Sequence, residues 1–539
     1  MPLLKGSLLT IHDRLSEMVG FDFLSTDIQP LDVPLLSGKR VLVAEAWNAT
    51  PHLETGLEIA IRLARSGCVV DYLHYGHCLP AVEYYVSSHL YPDLIPDQAL
   101  FPQELGQLLL QSIAADLRLP LEILSVPDLY LNSSHEIPAE YLQSLENLIG
   151  YDGGLSPLLG LSVAGSLVTA VKSSLIKPIH FRSVCNKLAL SFVCANQIVS
   201  AVLKQRPYEA LVVFNGRFPC VKGAVLAAQS HAVSVWFHER GSSQSRFVLQ
   251  QYQTHDRLNV QRHILKMWQD QGCKHEAESA AHDFFIKARS GDDLAWTSFA
   301  KNQQNGLAYT CVQRAKSVSK TGRVVVYFSS SDDEFVGARD AYVRDSYAWT
   351  SQSEALQVLA QEVDQAGHSL VIRVHPHLSK KYAIDRAYWN HLQWFDEELR
   401  SRVVLVPSSS KMSSYELIDL ADLVVCYGST VGIEAAYWQR PVLLLGNSFY
   451  DRLGAAVVPA TTAESVAEAL SMLESLPIDR SSCLPYGFYA FCHGFEYDLY
   501  KPKSLFEGSF MNVQLQPKPS LLTRLRRRLA PLLSFDLLS

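Results

Sequence analysis

The chain has 539 residues, 48% of them hydrophobic and 19% charged, which is enough to bury large cores and to divide into two or three domains. A net charge of -7 excludes wholesale nucleic-acid binding, which needs a basic face. The ten cysteines are scattered, without a C-x-x-C pair or a histidine cluster at metal spacing; they read as small apolar fillers in a reducing compartment, and neither a disulfide nor a structural zinc is expected.

The first 20 residues, MPLLKGSLLTIHDRLSEMVG, lack the apolar core and small-residue cleavage site of a signal peptide. No apolar run approaches about 18 residues, the length a spanning helix needs, so a cytoplasmic protein is expected. Residues 40 to 45, RVLVAE, form a short apolar strand. TGLEIAIRLARSG repeats apolar residues at helical spacing and ends at Gly67, and CVVDYLHYG is the next strand. This strand, helix, strand unit is of the Rossmann type. The turn after its first strand, Trp47-Asn48-Ala49-Thr50-Pro51-His52, lacks the Gly-x-Gly-x-x-Gly loop of a dinucleotide site. Helical patterns occupy much of 100 to 205. Two strands follow, ALVVFNGRF at 210 to 218 and AVSVWFHERG at 232 to 241, each ending in polar residues: Asn215, Gly216 and Arg217 after one, His238, Glu239 and Arg240 after the other.

A polar, mostly helical stretch from about 255 to 315 leads to Ser317 to Gly322, which reads as a linker. Strands near 324 to 328, 369 to 374, 403 to 406, 422 to 427 and 442 to 445 then alternate with helical segments, the pattern of a second doubly wound domain. Residues 1 to 37 read as an extension, 38 to 316 as an N-terminal Rossmann-like domain, and 317 to 480 as a C-terminal Rossmann-like domain. Residues 481 to 515 are a segment that can cross back to the first domain. The tail, 516 to 539, sets leucines beside Arg524, Arg526, Arg527 and Arg528, a basic amphipathic helix suited to an anionic membrane surface or a partner protein, or else a solvated charge run.

Three turns carry candidate chemistry. In LVVCYGSTVGIEAAYWQRPVLLLG, Gly428, Ser429 and Thr430 sit where a buried strand gives way to a helix, a place where open α/β sheets bind ligands. A hydroxyl there can cap the helix while backbone N-H groups face an anion, and Glu434 lies one turn further in, placed to accept from ribose hydroxyls. In LVIRVHPHL, a strand delivers Arg373, His375 and His377 into a turn fixed by Pro376; alternation puts the three side chains on one side, suited to a phosphate. Ser329 to Glu334, SSSDDE, gathers Asp332, Asp333 and Glu334 after the strand 324 to 328, where a carboxylate can act as general base or can serve a helix start, with Ser331 and Glu334 as a capping box. His238 and Glu239 form an alternative acid/base pair. No H-E-x-x-H, spaced D-x-D or Walker loop is present, so phosphate charge falls to arginine, histidine and helix dipoles, with no metal and no cofactor expected.

From VVVYFSSSDDEF through RVHPH to YGSTVGIEAAYWQRPVLLLGNSFYDRLG, the C-terminal half resembles the capsule polysaccharide biosynthesis family, GT-B-type glycosyltransferases that include capsular Kdo transferases and resemble bacterial sialyltransferases. The resemblance implies a GT-B-like α/β fold, two Rossmann-type doubly wound domains facing a cleft, with 38 to 316 as the acceptor side and 317 to 480 as the nucleotide-sugar-binding domain. It also implies that His375 and Pro376 match a His-Pro motif, and Ser429 and Thr430 a Ser-Ser/Thr motif, that bind the donor nucleotide without metal. Glu434 falls where many such enzymes hold the donor ribose. The acidic motif of these relatives ends in glycine, which Asp332-Asp333-Glu334 lacks. VVFNGR and HERG look like this family's N-terminal domain. The activity implied is inverting transfer of a sugar from a nucleotide sugar, a CMP-linked acid sugar among the candidates, to a polysaccharide or glycolipid acceptor. A nucleotide-sugar epimerase or polyol-phosphate transferase on the same fold, and a noncatalytic scaffold, are the alternatives. The base stays open among Asp332, Asp333, Glu334, His238 and Glu239.

Overall fold

A computed structural model describes residues 28–47, 49–75, 78–81, 101–126, 134–171, 176–292, 300–330, 336–338, 349, 351–376, 403–454 and 456–516. The described residues fall into two compact units. The first is drawn from Met1–Ser166, Pro178–Thr254 and Phe495–Arg527, the second from Leu167–Lys177, His255–Gly494 and Arg528–Ser539. Among them, the basic tail is represented only by Gln516; Arg524 to Arg528, with Asp332, Asp333, Glu334 and His377, lie outside the described residues.

In the first unit β1 (Arg40–Ala44), β2 (Val69–His74), β3 (Leu121–Ser125), β4 (Ala210–Phe214) and β5 (Ser234–Arg240) run parallel. β6 (Arg246–Gln250) turns back antiparallel on β5. Near-continuous apolar runs such as ALVVF, buried throughout, are what a sheet covered on both faces requires. β3 and β6 were not foreseen: β3, LEILS, is hidden in the helical stretch between 100 and 205, because so short a run has no period long enough to distinguish it.

The helix His52–Arg65 follows β1 and ends as expected, with Gly67 at φ 85° and its N-H on the Ala64 carbonyl. Its polar residues Glu54, Thr55, Glu58 and Arg62 are nevertheless buried. The cause is the chain's return: β13 (Phe495–Glu496) pairs with β6, and a hairpin of β14 (Tyr500–Ser504) and β15 (Glu507–Phe510) follows. Glu58 accepts the backbone N-H groups of Asp498 at 2.7 Å and Tyr500 at 3.0 Å, and Arg62 donates to the Glu496 carbonyl at 2.7 Å. A segment from the far end of the chain is thereby fastened across the first helix.

The second unit holds β7 (Val324–Phe328), β8 (Ser369–Arg373), β9 (Val403–Val406), β10 (Leu423–Cys426), β11 (Val442–Leu444) and β12 (Val458–Pro459) in one parallel sheet. The helices Arg257–Asp270, Lys274–Ser290 and Leu307–Val318 belong here, so the units divide after Thr254 rather than at 316. Composition hid the boundary because these polar helices cover their unit through specific contacts. Phe285 stacks on Tyr437 at 3.9 Å, and Glu416 accepts the Gly306 and Ala308 N-H groups. Ser317 to Gly322 is accordingly a helix-to-strand turn inside this unit, with Lys320 N-H on the Gly367 carbonyl at 2.9 Å.

The strand order is β9-β8-β7-β10-β11-β12 in the second unit, and β3-β2-β1-β4-β5-β6-β13 in the first. Each sheet therefore reverses its winding direction once, between β7 and β10 or between β1 and β4. A crevice opens outside the carboxyl ends of the strands at such a reversal. All ten cysteines are free thiols, most of them buried. Pro178–Gln205 is the one helix among the described residues long and apolar enough to cross a membrane, and half of its most apolar window is buried.

Candidate functional site

In the second unit, Cys426, Phe328 and Arg373 stand in one row across β10, β7 and β8. Two inter-strand steps span roughly 10 Å, so the Gly428 turn and the His375 turn flank the end of β7 on the same edge. Ser329 and Ser330 occupy that end and are 2% and 4% exposed. Ser329 Oγ accepts the backbone N-H of His375 at 2.8 Å, tying the His-Pro turn to the middle strand. Gln352 accepts the Ser330 N-H at 2.7 Å and the Tyr327 hydroxyl at 2.9 Å. Ser330 Oγ, buried at the reversal, has no hydrogen-bond partner among the described residues, and a buried polar group left so costs about 1–3 kcal/mol.

Gly428 adopts φ 101°, and a Cβ there would stand 2.4 Å from the Asn447 carbonyl oxygen. The turn after β10 thus packs backbone to backbone on the turn after β11. Ser429, half-buried, accepts weakly from Val431 N-H at 3.4 Å, while Thr430 is exposed and starts the helix Val431–Tyr437 without a side-chain cap. Thr430 instead bonds Glu434, which also accepts the Tyr415 hydroxyl. Burial pushes the Glu434 carboxyl above its ordinary range. Its ribose-holding role would have to share an acceptor already occupied by two hydroxyls.

Arg373 stands elsewhere than alternation suggested. It is 1% exposed and donates to the carbonyls of Pro407 at 2.6 Å and Ser410 at 3.1 Å. Burial lowers its pKa to about 10. Its guanidinium fixes the turn after β9 through those two carbonyls. The reason is that β8 stops at Arg373; His375 and Pro376 lie beyond it in a half-buried turn, and strand alternation has no meaning there.

The first unit gathers a second group at its own reversal. Glu45, at the end of β1, receives His238 Nε2 on Oε2 at 2.7 Å, and its Oε1 accepts Trp47 N-H at 2.7 Å. His238 therefore pairs with Glu45 rather than with its chain neighbour Glu239, because neighbours on a strand point to opposite faces. Glu239 accepts from Asn215 Nδ2 at 2.6 Å. Asn215 and Gly216 turn through positive φ, 53° and 100°, which aims the Asn215 amide back at β5. Arg217 lies over Phe218 at 4.9 Å. Arg240 donates to the Leu505 carbonyl at 2.8 Å and lies 5.0 Å from the Phe506 ring. His52 Nδ1 is 3.9 Å from Glu239, but burial, helped by Arg240, His238 and Arg217, depresses its pKa well below normal. Its surroundings thus disfavour the charged form of the ring.

Glu45 and His52 were absent from the sequence-based candidates. Glu45 follows β1 as Arg217 follows β4, while His238 lies near the end of β5, and the shared signal was a polar residue closing an apolar run. Among the described residues no three His, Cys, Asp or Glu side chains gather as a metal site.

Residues 318–463 match the family model for capsule polysaccharide biosynthesis proteins. This segment is similar to that family. It contains β7 to β12, the Ser329 and His375 turns and the Gly428 turn. No curated protein matches the chain. Among solved structures the chain is similar to the beta Kdo 2,4 transferase of Thermosulfurimonas dismutans KpsC, at 11% identity and TM-score 0.35, over 52% of this chain and 79% of that one. It is similar also to that protein's beta Kdo 2,7 transferase, at 14% identity and TM-score 0.31, over 54% and 80%. The UDP-GlcNAc 2-epimerase of Neisseria meningitidis, bound to UDP-GlcNAc, is similar at 11% identity and TM-score 0.23, over 83% and 97%. The matched segment holds the His375 and Gly428 turns, and His238, Glu45 and Glu239 lie in the first unit, outside it.

Proposed function

We propose that this chain is a cytoplasmic glycosyltransferase of surface-polysaccharide assembly, taking a sugar from a nucleotide-activated donor to a polysaccharide or glycolipid acceptor. The observation that carries the reading is the reversal in the matched segment: an orphaned buried hydroxyl, Ser330, flanked by the His375-Pro376 turn and the Gly428-Ser429-Thr430 turn. A ligand rich in phosphate oxygens and sugar hydroxyls supplies the partners such a crevice lacks.

In the proposed reaction the donor phosphate is held by His375, Ser429, Thr430 and adjacent backbone amides. An acceptor hydroxyl attacks the anomeric carbon with inversion as a base takes its proton. The bond from that carbon to the phosphate breaks, and the nucleotide leaves with the electron pair. Each hydrogen bond aimed at the developing charge contributes about 3 kcal/mol, roughly a hundredfold in rate. Neutralisation by histidine, hydroxyls and amides makes the proposed transfer metal-independent, and a CMP-linked acid sugar is the donor we favour.

The test is a thermal-shift screen of the whole chain against CMP, UDP, GDP and CDP, with and without EDTA. One nucleotide at millimolar concentration should raise the melting temperature through mass action, unchanged by EDTA, and His375→Ala should abolish the shift. No shift with any nucleotide would refute the reading and favour a scaffold.

A further inference from the structure

Within the second unit, the turn after β10 and the turn after β11 close on each other at three glycines. A Cβ on Gly428 would stand 2.4 Å from the Asn447 carbonyl oxygen, one on Gly446 2.9 Å from the Tyr427 carbonyl oxygen, and one on Gly432 2.4 Å from the Tyr450 hydroxyl. The first two contacts are backbone on backbone. In the third, the phenol oxygen of Tyr450 fills the room that a side chain at 432 would need. Tyr450 is 3% exposed. Its ring meets Tyr486 edge-on at 5.9 Å, and its N-H is held by Ser448 Oγ at 3.2 Å. The hydroxyl donates to the Ser429 carbonyl, which also accepts the Gly432 N-H at 3.1 Å, and Cys426 Sγ lies 3.6 Å from the same phenol oxygen. A serine hydroxyl is joined to its backbone by a single torsion, so fixing the Ser429 backbone confines Oγ to the staggered positions about χ1. Among the described residues Ser429 Oγ has one bond, accepted from Val431 N-H at 3.4 Å, beyond the usual length. Its own proton is uncommitted.

We propose that Tyr450 is a positioning residue of the donor site: by holding the Ser429 carbonyl against Gly432, it sets the direction in which Ser429 Oγ-H meets the donor phosphate. This rests on the transferase reading given above, in which Ser429 binds that phosphate. Tyr450 acts through Ser429 rather than on the ligand, because its one hydroxyl proton is already given to the carbonyl. A phosphate oxygen is the acceptor that the aimed hydroxyl serves. The base and ribose of a nucleotide gain nothing from it, so the effect of Tyr450 falls on the phosphate alone.

The experiment titrates the full chain and its Tyr450→Phe variant with two probes: the nucleotide that shifts the wild-type melting temperature, CMP on the reading above, and its nucleoside, cytidine. Tyr450→Phe should weaken the CMP Kd about fivefold, the loss that one neutral hydrogen bond represents, and leave the cytidine Kd unchanged. A merely structural tyrosine would weaken both or neither. Equal losses for the two probes, or an unchanged CMP Kd, overturn the positioning role. A second measurement leaves the hydroxyl in place: in Tyr450→3-fluorotyrosine the fluorine resonance should shift on addition of CMP and stay where it is with cytidine. A resonance that ignores CMP, or that answers both probes alike, overturns the role even where Tyr450→Phe fails to fold. A wild-type chain that binds none of CMP, UDP, GDP and CDP overturns the transferase reading and with it the role that rests on it, an outcome distinct from the others because it appears before any substitution.

Discussion

Arg257 and Asp451, 194 residues apart, meet at 2.6 Å with the arginine fully buried. Asp451 also accepts Gln261 Nε2 and the Ser448 N-H, so one carboxylate braces the turn after β11, on which the Gly428 turn is packed. Removing one partner of a buried pair leaves an uncompensated charge, at a cost of about 3–5 kcal/mol. Arg257→Met should therefore lower the melting temperature sharply and weaken nucleotide binding. The double variant Arg257→Met, Asp451→Leu should recover most of the stability, measured by denaturant unfolding of all three chains.

Gly428→Ala tests the contact between those two turns. The new methyl group would collide with the Asn447 carbonyl at a backbone angle alanine resists, a strain of at least about 1 kcal/mol. The nucleotide-induced shift should disappear while the far-ultraviolet circular dichroism remains that of the wild type.

Arg373 separates structure from binding. Arg373→Ala leaves the Pro407 and Ser410 carbonyls without their donor, and should cost about 3 kcal/mol of stability. At a temperature where the variant is folded, its nucleotide Kd by calorimetry should match that of the wild type. A large loss of affinity would restore Arg373 as a phosphate ligand.

Glu54 supplies a pH dependence. Burial raises its carboxyl to about 7 against the Thr50 hydroxyl bond, which lowers it. Between the ordinary carboxylate range and pH 7 the folded chain holds a proton that the unfolded chain has released, so this contribution to stability is full below that window and is lost as pH rises through it. A shift of this size corresponds to about 3 kcal/mol. Melting temperatures of wild type and Glu54→Gln, taken from pH 4.5 to 8, should diverge as pH increases, with the variant the more stable at the alkaline end.

Ser329→Ala should loosen the His-Pro turn, because it removes the acceptor of the His375 N-H. One neutral hydrogen bond contributes about 1 kcal/mol. A several-fold weaker nucleotide Kd with little change in melting temperature is the expected result.

The apolar runs VVVYF, LVIR and LVVC, with helical segments between them, determined on their own that a parallel sheet would form, since only strands covered on both faces are apolar throughout. The turns bearing His375 and Gly428 to Thr430 were equally legible, because glycine, proline and hydroxyl residues at strand ends announce themselves locally. Three things were decided by the tertiary structure alone. The return of Phe495 to the first sheet joins residues hundreds of positions apart, and no local pattern encodes such a closure. The fate of Arg373 depended on where β8 stops and on two carbonyls of another turn. The partner of His238 was Glu45, 193 residues away, rather than adjacent Glu239. A sequence lists which groups can titrate or bond, whereas the meeting of two strand ends determines which of them share a proton.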